Sequence, residues 1–445
     1  MKTTRLLFIF VLITALFAIV PSASAVLTTY TSGFQVQNLE GDTANVTLYF
    51  YRQNGTQPPG TPISDTIAAN DSKNYYPLTV ETGFNGSVVV ASDNQVAAIT
   101  NVLSTDMRAR GSYTASSSGS TSVFIPLLMK FNGLLSTWFN VQNTGGSAAT
   151  ITATYTSGPP VTSPLVQPGA SYTFDQTTET HPSPIFAGTV TCAQPVAVTV
   201  IEEKPNVLFA YSGFTTGSTS VLPVMPLINA NNGLWKTGLM IYNTGGTATN
   251  VTVSYTPADP PVGAGTACQE TQTIPAGLSG NFALYAFATG ANSNCVALAK
   301  FVGSAKVTTN SAGHQLAAIV NQTTPSRGGT YNAFNAASAT AKVVFPLIMD
   351  RNNGWSTGIN VMNVGAVVTT ITCHFTAACS GYAPTKELQP GESFSDIQTN
   401  KCVNGYVGAG YCTSTGSVPI VGIVNENKAG TYDNALTFEA VNTTP

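Results

Sequence analysis

Few residues of this 445-residue chain have the types and spacing that catalysis requires. A hydrolase needs a nucleophile with a base within hydrogen-bond reach, and usually a third group that orients the base. The chain has three histidines, His181, His314 and His374, and they lie far apart in the sequence. His374 follows Cys373 directly, but neighbouring residues on a strand point to opposite faces, so a Cys–His dyad is not expected. We therefore predict a protein that is not an enzyme, with no cofactor and no metal site.

Two acidic segments suggest glycoside hydrolysis and calcium binding, but their residues do not favour either activity. Glu202 and Glu203 could be the paired carboxylates of a glycoside hydrolase. Adjacent strand residues face apart, however, and Lys204 follows them, so we predict a solvated strand end. Residues 350–354 (Asp-Arg-Asn-Asn-Gly) offer one carboxylate where calcium-binding loops have several, and a β-turn explains them.

Three tryptophans, Trp138, Trp235 and Trp355, could stack on sugar rings as in carbohydrate-binding sandwiches. Trp235 and Trp355 stand at matching positions in an internal repeat, and Leu135 stands there in a third copy. Because leucine cannot stack on a sugar, burial of the rings at the end of a core is the favoured interpretation. Sugar stacking stays an open alternative.

Seven cysteines lie in the chain, and an export signal makes disulfides their expected use. Cys268 and Cys295 flank an insertion, which a bridge between them would close. Cys192 is left over, either as a small buried residue or as a thiol for a bridge between molecules.

The other four cysteines lie in the C-terminal repeat and allow three pairings. We expect the two bridges that close short local loops. These are Cys373 with Cys379, and Cys402 with Cys412.

The elements that carry these residues are repeated. An apolar-x-apolar-x-Asn pattern recurs four times, and a second alternating segment follows each copy after a turn, which predicts four β-hairpins. The four marker asparagines are Asn38, Asn143, Asn243 and Asn363. A tyrosine closes each copy, at Tyr113, Tyr211, Tyr331 and Tyr432. An apolar strand containing proline opens the last three copies, at Pro126, Pro226 and Pro346.

These patterns predict an all-β protein of four tandem antiparallel sandwiches, because short period-2 strands recur with turns about every ten residues. The chain resembles the secreted bacterial surface proteins that carry tandem immunoglobulin-like β-sandwich repeats. That resemblance implies the fold and no active-site residue. The expected boundaries are a signal peptide at 1–25 and repeats at 26–115, 121–214, 220–335 and 341–445, hereafter repeats 1 to 4.

Composition limits the partners. Only 8% of residues are charged and 43% are hydrophobic, which suits half-buried strands with uncharged hydroxyls and amides outside. The 17 lysines and arginines are spread thinly and the net charge is −3, so nucleic acid is not an expected partner. Low charge favours self-association, and a cell-surface glycan or protein is the other partner class.

The N-terminus has the pattern of a secretory signal. Lys2 and Arg5 precede an apolar run over residues 6–20, and residues 23–25 (Ala-Ser-Ala) form a small-x-small cleavage site. The run is shorter than the ~20 residues of a membrane span, so we expect cleavage before Val26, secretion to the cell exterior, and no span in the mature chain.

The two ends of the repeat array differ from its middle. Repeat 1 lacks the opening proline strand, and after Tyr432 the chain continues with an alternating apolar tail that includes Leu436, Phe438 and Ala440. Two alternatives stay open. The tail pairs within its own repeat, or it fills the edge of repeat 1 in another molecule and builds a head-to-tail filament.

The function predicted from these features is an extracellular structural protein, either a cell-surface spacer or a subunit of a filament or sheath. The alternative is an adhesin or a carbohydrate-binding module that uses loops or the three tryptophans.

Overall fold

The computed structural model describes residues 29–283, 287, 293–297, 299–311 and 313–443. Antiparallel strands dominate these residues, and helical structure in them is limited to three single turns, so the predicted all-β class is confirmed. The predicted signal peptide lies outside the described residues. The three turns are 3₁₀ helices at Ala336–Ser338, Ala377–Cys379 and Thr415–Ser417.

The strands are numbered β1 to β33 in chain order. Those of repeat 1 are β1 (Tyr30–Asn38), β2 (Ala44–Arg52), β3 (Ile63–Ile67), β4 (Ser72–Tyr75), β5 (Gly86–Ser92), β6 (Val96–Ser104) and β7 (Arg110–Thr114). Those of repeat 2 are β8 (Ser120–Met129), β9 (Ser136–Asn143), β10 (Ile151–Tyr155), β11 (Val161–Thr162), β12 (Ser171–Asp175), β13 (Ile185–Lys204), β14 (Val207–Ser212) and β15 (Phe214–Thr215).

The C-terminal half follows the same order. Repeat 3 contains β16 (Pro223–Ala230), β17 (Lys236–Asn243), β18 (Thr249–Pro257), β19 (Cys268–Ile274), β20 (Ser279–Phe282), β21 (Phe301–Thr309), β22 (Leu316–Thr323), β23 (Gly328–Asn332) and β24 (Phe334–Asn335). Repeat 4 contains β25 (Lys342–Asp350), β26 (Trp355–Asn363), β27 (Thr369–Phe375), β28 (Thr385–Leu388), β29 (Ser393–Ile397), β30 (Tyr406–Ser414), β31 (Ile420–Lys428), β32 (Ala435–Glu439) and β33 (Val441–Thr443).

Each repeat contributes two sheets. The inner sheets have the orders β4-β1-β6-β7, β12-β9-β13-β14, β20-β17-β22-β23 and β29-β26-β31-β32. The outer sheets have the orders β3-β2-β5, β11-β10-β13-β8-β15, β19-β18-β21-β16-β24 and β28-β27-β30-β25-β33. The long strand β13 belongs to both sheets of repeat 2. That each pair of sheets is a separate domain stays a prediction.

The cores lie between the two sheets of each repeat, where alternate residues point inward. On β2, Val46, Leu48 and Phe50 are each 1% exposed, while Asn45 is exposed and Thr47 is half-buried. Burial of each such apolar side chain stabilises the fold by about 1.5–3 kcal/mol. The period-2 pattern of the sequence therefore sets which residues form each core.

The prediction of four β-hairpins is wrong, because the two strands of each, such as β1 and β2, lie in different sheets and do not pair with each other. The marker asparagines hold the turn that leads from the inner sheet to the outer sheet. Asn143 is fully buried, and its Nδ2 donates to the carbonyls of Ser147 (2.8 Å) and Val166 (3.0 Å), while its Oδ1 accepts the N–H of Gly145 (3.0 Å). Asn38, Asn243 and Asn363 make the same set of bonds in their own repeats. A buried amide must be satisfied in this way, and these bonds explain why the residue recurs.

The closing aromatic residue of repeat 4 was predicted wrongly. Tyr113, Tyr211 and Tyr331 pair with matching positions of the preceding strand, and the residue at that position in repeat 4 is Phe438. Tyr432 lies in the preceding loop and is 44% exposed. The sequence misled because the β31–β32 loop is longer than its counterparts.

The tail after Tyr432 is therefore not an addition to the repeat. Strand β32 is the counterpart of β7, β14 and β23, and β33 is the counterpart of β15 and β24. Leu436, Phe438 and Ala440 are buried in repeat 4. The structure thus places the tail in its own repeat, the first of the two alternatives, and repeat 4 ends with the same strands as repeats 2 and 3.

Three disulfides are present, and the pairing predicted for repeat 4 is wrong. Cys268 pairs with Cys295. In repeat 4, Cys373 pairs with Cys412 across the neighbouring strands β27 and β30. Cys379 pairs with Cys402, which joins two loops. Proximity in the sequence misled because sheet pairing brings Cys373 directly opposite Cys412.

Candidate functional site: the central seam

The last inner strands of the four repeats meet one another. Strand β7 contacts β14, β14 contacts β23, β23 contacts β32, and β32 contacts β7. We call the surface formed by β7, β14, β23 and β32 the central seam. An inner sheet that ended in an open edge would expose unpaired backbone groups, and the seam covers the edge strand of every repeat. Repeats 1 and 4, which lie at opposite ends of the described sequence, thus contact each other.

Small residues allow the seam strands to approach closely. A Cβ atom added at Gly111 of β7 would lie 3.1 Å from the Cβ of Ala210 on β14. A Cβ at Gly328 would overlap the ring of Phe209, and one at Gly329 would overlap Thr437. Glycine is required wherever another backbone or ring comes this near. Each of these glycines therefore serves a contact between repeats.

A circuit of hydrogen bonds closes around the seam through four residues at matching positions. Ser212 donates from its hydroxyl to the Thr114 carbonyl (2.7 Å), and Asn332 donates from Nδ2 to the Ser212 carbonyl (2.6 Å). The backbone N–H of Asn332 and the hydroxyl of Thr114 (2.6 Å) both donate to the Glu439 carboxylate. Each repeat is thereby bonded to the next, and repeat 4 to repeat 1. Burial raises the pKa of Glu439, which these donors oppose.

A second set of contacts repeats around the same circuit. Strands β6, β13, β22 and β31 occupy the same place in the four repeats. In each contact, a residue on one of these strands meets a residue of the neighbouring repeat that stands one position earlier on the matching strand. Asn321 donates to Glu202 (2.9 Å) between repeats 3 and 2, and Asn101 donates to Glu426 (3.3 Å) between repeats 1 and 4. These two contacts each bury one carboxyl group beside one amide.

The other two contacts of this set contain no carboxyl group. Gln322 of repeat 3 donates to Asn425 of repeat 4 (3.3 Å). Val102 of repeat 1 and Ile201 of repeat 2 belong to one apolar cluster. The same position in the circuit thus holds acid–amide, amide–amide or apolar pairs.

Burial changes the protonation of the carboxyl groups in these contacts. Desolvation raises the pKa of Glu202 to about 8 and that of Glu426 to about 7, and the amide donors of Asn321 and Asn101 oppose the shift. A carboxyl group removed from water favours its neutral form. Glu202 and Glu426 are therefore largely protonated below neutral pH.

Glu203 lies beside Glu202 and is also buried, so the predicted solvated strand end is wrong. Its carboxylate accepts the hydroxyl of Tyr30 and the indole N–H of Trp138 (3.3 Å). Desolvation raises the pKa of Glu203 to about 7, with these two donors opposing the shift. The two glutamates do face apart, as strand geometry requires, but a different neighbouring surface covers each face.

Asp433, in the loop before β32, contacts all three other repeats. Its carboxylate accepts the backbone N–H of Leu208 in repeat 2 (3.1 Å) and of Gly328 in repeat 3 (2.9 Å). Its own N–H donates to the Arg108 carbonyl, and Arg110 donates to its carbonyl (2.8 Å). The side chain is fully buried, and desolvation raises the pKa of Asp433 to about 8 against these donors. Asp433 thus ties one end of the seam together.

The tryptophans all lie partly buried. Trp138 packs against Tyr30 with 5.5 Å between ring centroids. The Arg110 guanidinium lies 5.2 Å from the centroid of the Trp355 ring. Trp235 pairs with Asn232 in a tight turn. The structure does not bring the three rings to one site, and each lies in its own repeat.

The remaining candidate groups do not converge either. Cys373 is in a disulfide, and His374 packs against Tyr411 with 5.1 Å between ring centroids. Cys192 has no disulfide partner among the described residues and is partly buried. Within the described ranges, no three His, Cys, Asp or Glu residues are grouped closely enough to hold a metal ion. None of the described helices is long and apolar enough to cross a membrane.

Sequence reasoning missed Asp433 and the partly buried amides that bond between repeats. For the amides a signal existed, because Asn101, Asn321 and Asn425 each stand two residues after an apolar strand segment in three repeats. For Asp433 no signal existed, because its loop has no counterpart of equal length. No protein-family model matches this chain, and no curated protein matches its sequence.

Proposed function

We propose that this chain is an extracellular structural protein whose four repeats act as one rigid unit, a spacer or assembly subunit at the cell exterior. The observation that carries the proposal is the closed circuit of contacts around the central seam, from repeat 1 through repeat 4 and back. A circuit fixes the position of every repeat through two neighbours. A linear array would fix most repeats through flexible linkers.

Other features support this proposal. Three disulfides are typical of a chain that folds in an oxidising compartment. The carboxyl groups of Glu439 and Asp433 are buried at the seam and accept hydrogen bonds from neighbouring repeats. Secretion after cleavage at residue 25, and the immunoglobulin-like class of each sandwich, are part of the same proposal.

Small-angle X-ray scattering of the exported chain tests the rigid unit. A compact particle of this size has a radius of gyration of about 22 Å, whereas four separated repeats in a row would give about 40 Å. We expect the compact value at every salt concentration, because the seam contacts are buried. A value near that of the row would contradict the proposal.

A pair of variants in one loop provides the control. Asp433→Ala removes the carboxylate that bonds to repeats 2 and 3, and it should increase the radius of gyration or its spread. Thr431→Ala changes an exposed residue of the same loop and should leave scattering unchanged. Labelling of intact cells with an antibody to the exported chain tests its location, and a signal found only after lysis would argue against the cell exterior.

The adhesin or carbohydrate-binding alternative has weaker support. Tyr30 packs against Trp138, and Arg110 covers part of Trp355, so these rings are engaged inside the chain. A glycan array with Trp355→Ala as control addresses it, because binding that is lost in the variant would favour a sugar site. Light scattering over a range of concentrations addresses self-association.

A further inference from the structure

Among the described residues, the outer sheet of repeat 1 has three strands, whereas the outer sheets of repeats 2, 3 and 4 have five strands each. In repeats 2, 3 and 4, strands β8, β16 and β25 pair antiparallel with β13, β21 and β30. The counterpart of those three in repeat 1 is β5, which pairs with β2. Among the described residues no strand pairs with the other edge of β5. Within the described part of the chain, the backbone N–H and carbonyl groups along this edge have no strand partner.

The core of repeat 1 is less covered beside this edge than the other cores. Val90 of β5 is partly buried, whereas Val190 and Val307 at the matching positions are fully buried. Val96 is likewise partly buried, and its counterpart Val196 is fully buried. An apolar strand covers these positions in the other repeats. The partly buried row of Val90 and Val96 therefore lies where an opening strand, which the described residues of repeat 1 lack, would cover it.

A buried hydroxyl without a partner points to the same place. Ser279 of β20 donates to the Pro126 carbonyl of β8 (2.7 Å), which is the opening strand of the preceding repeat. Ser171 of β12 stands at the matching position in repeat 2. By the same geometry, its hydroxyl would reach the opening strand of repeat 1. The Ser171 hydroxyl is buried and has no hydrogen-bond partner. An unmade bond of this kind is uncommon in a buried side chain and needs an explanation.

The closing tyrosines give a third indication. Tyr211 and Tyr331 donate to the carbonyls of Leu127 and Leu227, each of which follows the proline of an opening strand. Their counterpart Tyr113 is partly buried, and no opening strand lies beside it in the described residues. Tyr113 thus lacks the bond to an opening strand that Tyr211 and Tyr331 make, and it hydrogen-bonds to Thr199 of repeat 2 instead.

We propose that the free edge of β5 binds an extended apolar segment of a partner polypeptide by strand addition, antiparallel to β5. The three resident strands define the chemistry of that segment. It is apolar at alternate positions, as are Val123 and Ile125 of β8, and it carries a proline whose carbonyl accepts the Ser171 hydroxyl. Main-chain bonds to the edge provide affinity, and the apolar row provides specificity.

The chain's own tail is not the occupant. Strand β33 is paired with β25, and Phe438 is fully buried in repeat 4, so a second copy does not offer this segment without unfolding. A second occupant has to be separated by experiment. Pro21 precedes Asn38 by 17 residues, as Pro126 precedes Asn143, so a chain that kept residues 15–24 would carry a matching segment of its own.

The test uses the exported chain, with its N-terminus read by intact mass, and a synthetic peptide of the β8 sequence, residues 120–129. We expect saturable binding by fluorescence anisotropy, and hydrogen-exchange protection confined to residues 86–92 and the seat around Tyr113. A peptide with Ile125→Asp should not bind, because the charge would enter the core of repeat 1.

Two serine variants test whether the peptide binds beside Ser171, by the change in its affinity. Ser171→Ala should weaken peptide binding about two- to tenfold, the worth of one hydrogen bond. Ser279→Ala is the matched control and should leave the affinity unchanged, because that hydroxyl is bonded within the chain. The measurement does not depend on the rigidity of the seam, so its failure is distinct from failure of the proposed function.

Four results would overturn the proposal. They are the absence of peptide binding by a folded chain, protection away from β5, equal affinity in the Ser171→Ala variant, and an exported chain that retains residues 15–24. Concentration-dependent dimers that the β8 peptide dissolves would also overturn it, because the occupant would then be a second copy.

Discussion

The contact between repeats 1 and 2 and the contact between repeats 2 and 3 use the same strand positions with different chemistry. The first places Val102 and Ile201 in one apolar cluster. The second places Glu202 against Asn321, with the carboxyl group fully buried. The geometry of the circuit therefore does not require a particular side chain at this position, and it tolerates either an apolar or a hydrogen-bonded pair.

What the difference changes is the response to pH. An apolar pair has the same free energy at every pH, whereas a buried carboxyl group is stable mainly in its neutral form. The two contacts should thus respond differently to mutation and to titration. The predictions below test that difference in order of decreasing effect.

Asp433→Ala should have the largest effect, a loss of about 4 kcal/mol in the free energy of unfolding. The change leaves the N–H groups of Leu208 and Gly328 buried without partners, at about 1–3 kcal/mol each, in addition to the bonds lost. Urea denaturation measures the change. A loss below about 1 kcal/mol would show that Asp433 does not hold repeats 2 and 3 together.

Ile201→Ala should destabilise the chain by about 3 kcal/mol, because it removes a side chain that is 1% exposed from the apolar contact. The loss should be the same at pH 5 and pH 8.5, since the substitution removes no titratable group. Thermal melting at the two values checks this, and a loss that grew with pH would break the comparison.

The melting temperature of the wild-type chain should fall as pH rises from 5 to 8.5. Glu202 and Asp433, with pKa values of about 8, and Glu203 and Glu426, with values of about 7, bind protons in the folded chain that they have released in the unfolded chain. Their stabilising contribution is complete below the unfolded pKa of about 4 and is lost as pH rises through the folded values.

Glu202→Gln assigns part of this dependence to the contact between repeats 2 and 3. The amide stays neutral, so the variant should match wild type at pH 5 and exceed its stability by about 1 kcal/mol or more at pH 8.5. An unchanged pH profile would mean that Glu202 is ionised in the folded chain. The contact between repeats 2 and 3 would then not differ from the apolar contact in its response to pH.

Ser279→Ala and Ser171→Ala should have the smallest effects on the free energy of unfolding. Ser279 bonds to the Pro126 carbonyl, and its loss should cost about 1 kcal/mol because that buried acceptor loses its donor. Ser171 has no partner, so its replacement should cost nothing or stabilise the chain slightly. Equal losses in the two variants, measured by urea denaturation, would show that Ser171 is satisfied in solution.

Within each repeat, the sequence predicted most of what local chemistry controls. The alternation of apolar residues marked the strands, although the two strands expected to form each hairpin lie in different sheets. The marker asparagines proved to be buried turn residues with one set of bonds. The errors came where a loop length or a strand partner decided the outcome. The disulfides of repeat 4 join Cys373 to Cys412 and Cys379 to Cys402 because sheet pairing, not sequence distance, brings those atoms together.

Between repeats the sequence predicted little. Glu202 and Glu203 were expected in solvent and are buried, because other repeats cover both faces of the strand end. No local pattern announces that Asp433 reaches Leu208 and Gly328, which lie more than a hundred residues earlier.

By itself, the sequence determined the all-β class, the fourfold repeat and the residues of each core. These follow from a period of two, which every strand carries within its own few residues. The tertiary structure added that the repeats close a circuit, which carboxyl groups this circuit buries, and which strand edge has no partner among the described residues. Those outcomes depend on contacts between residues far apart in the chain, and no local pattern of residues encodes them.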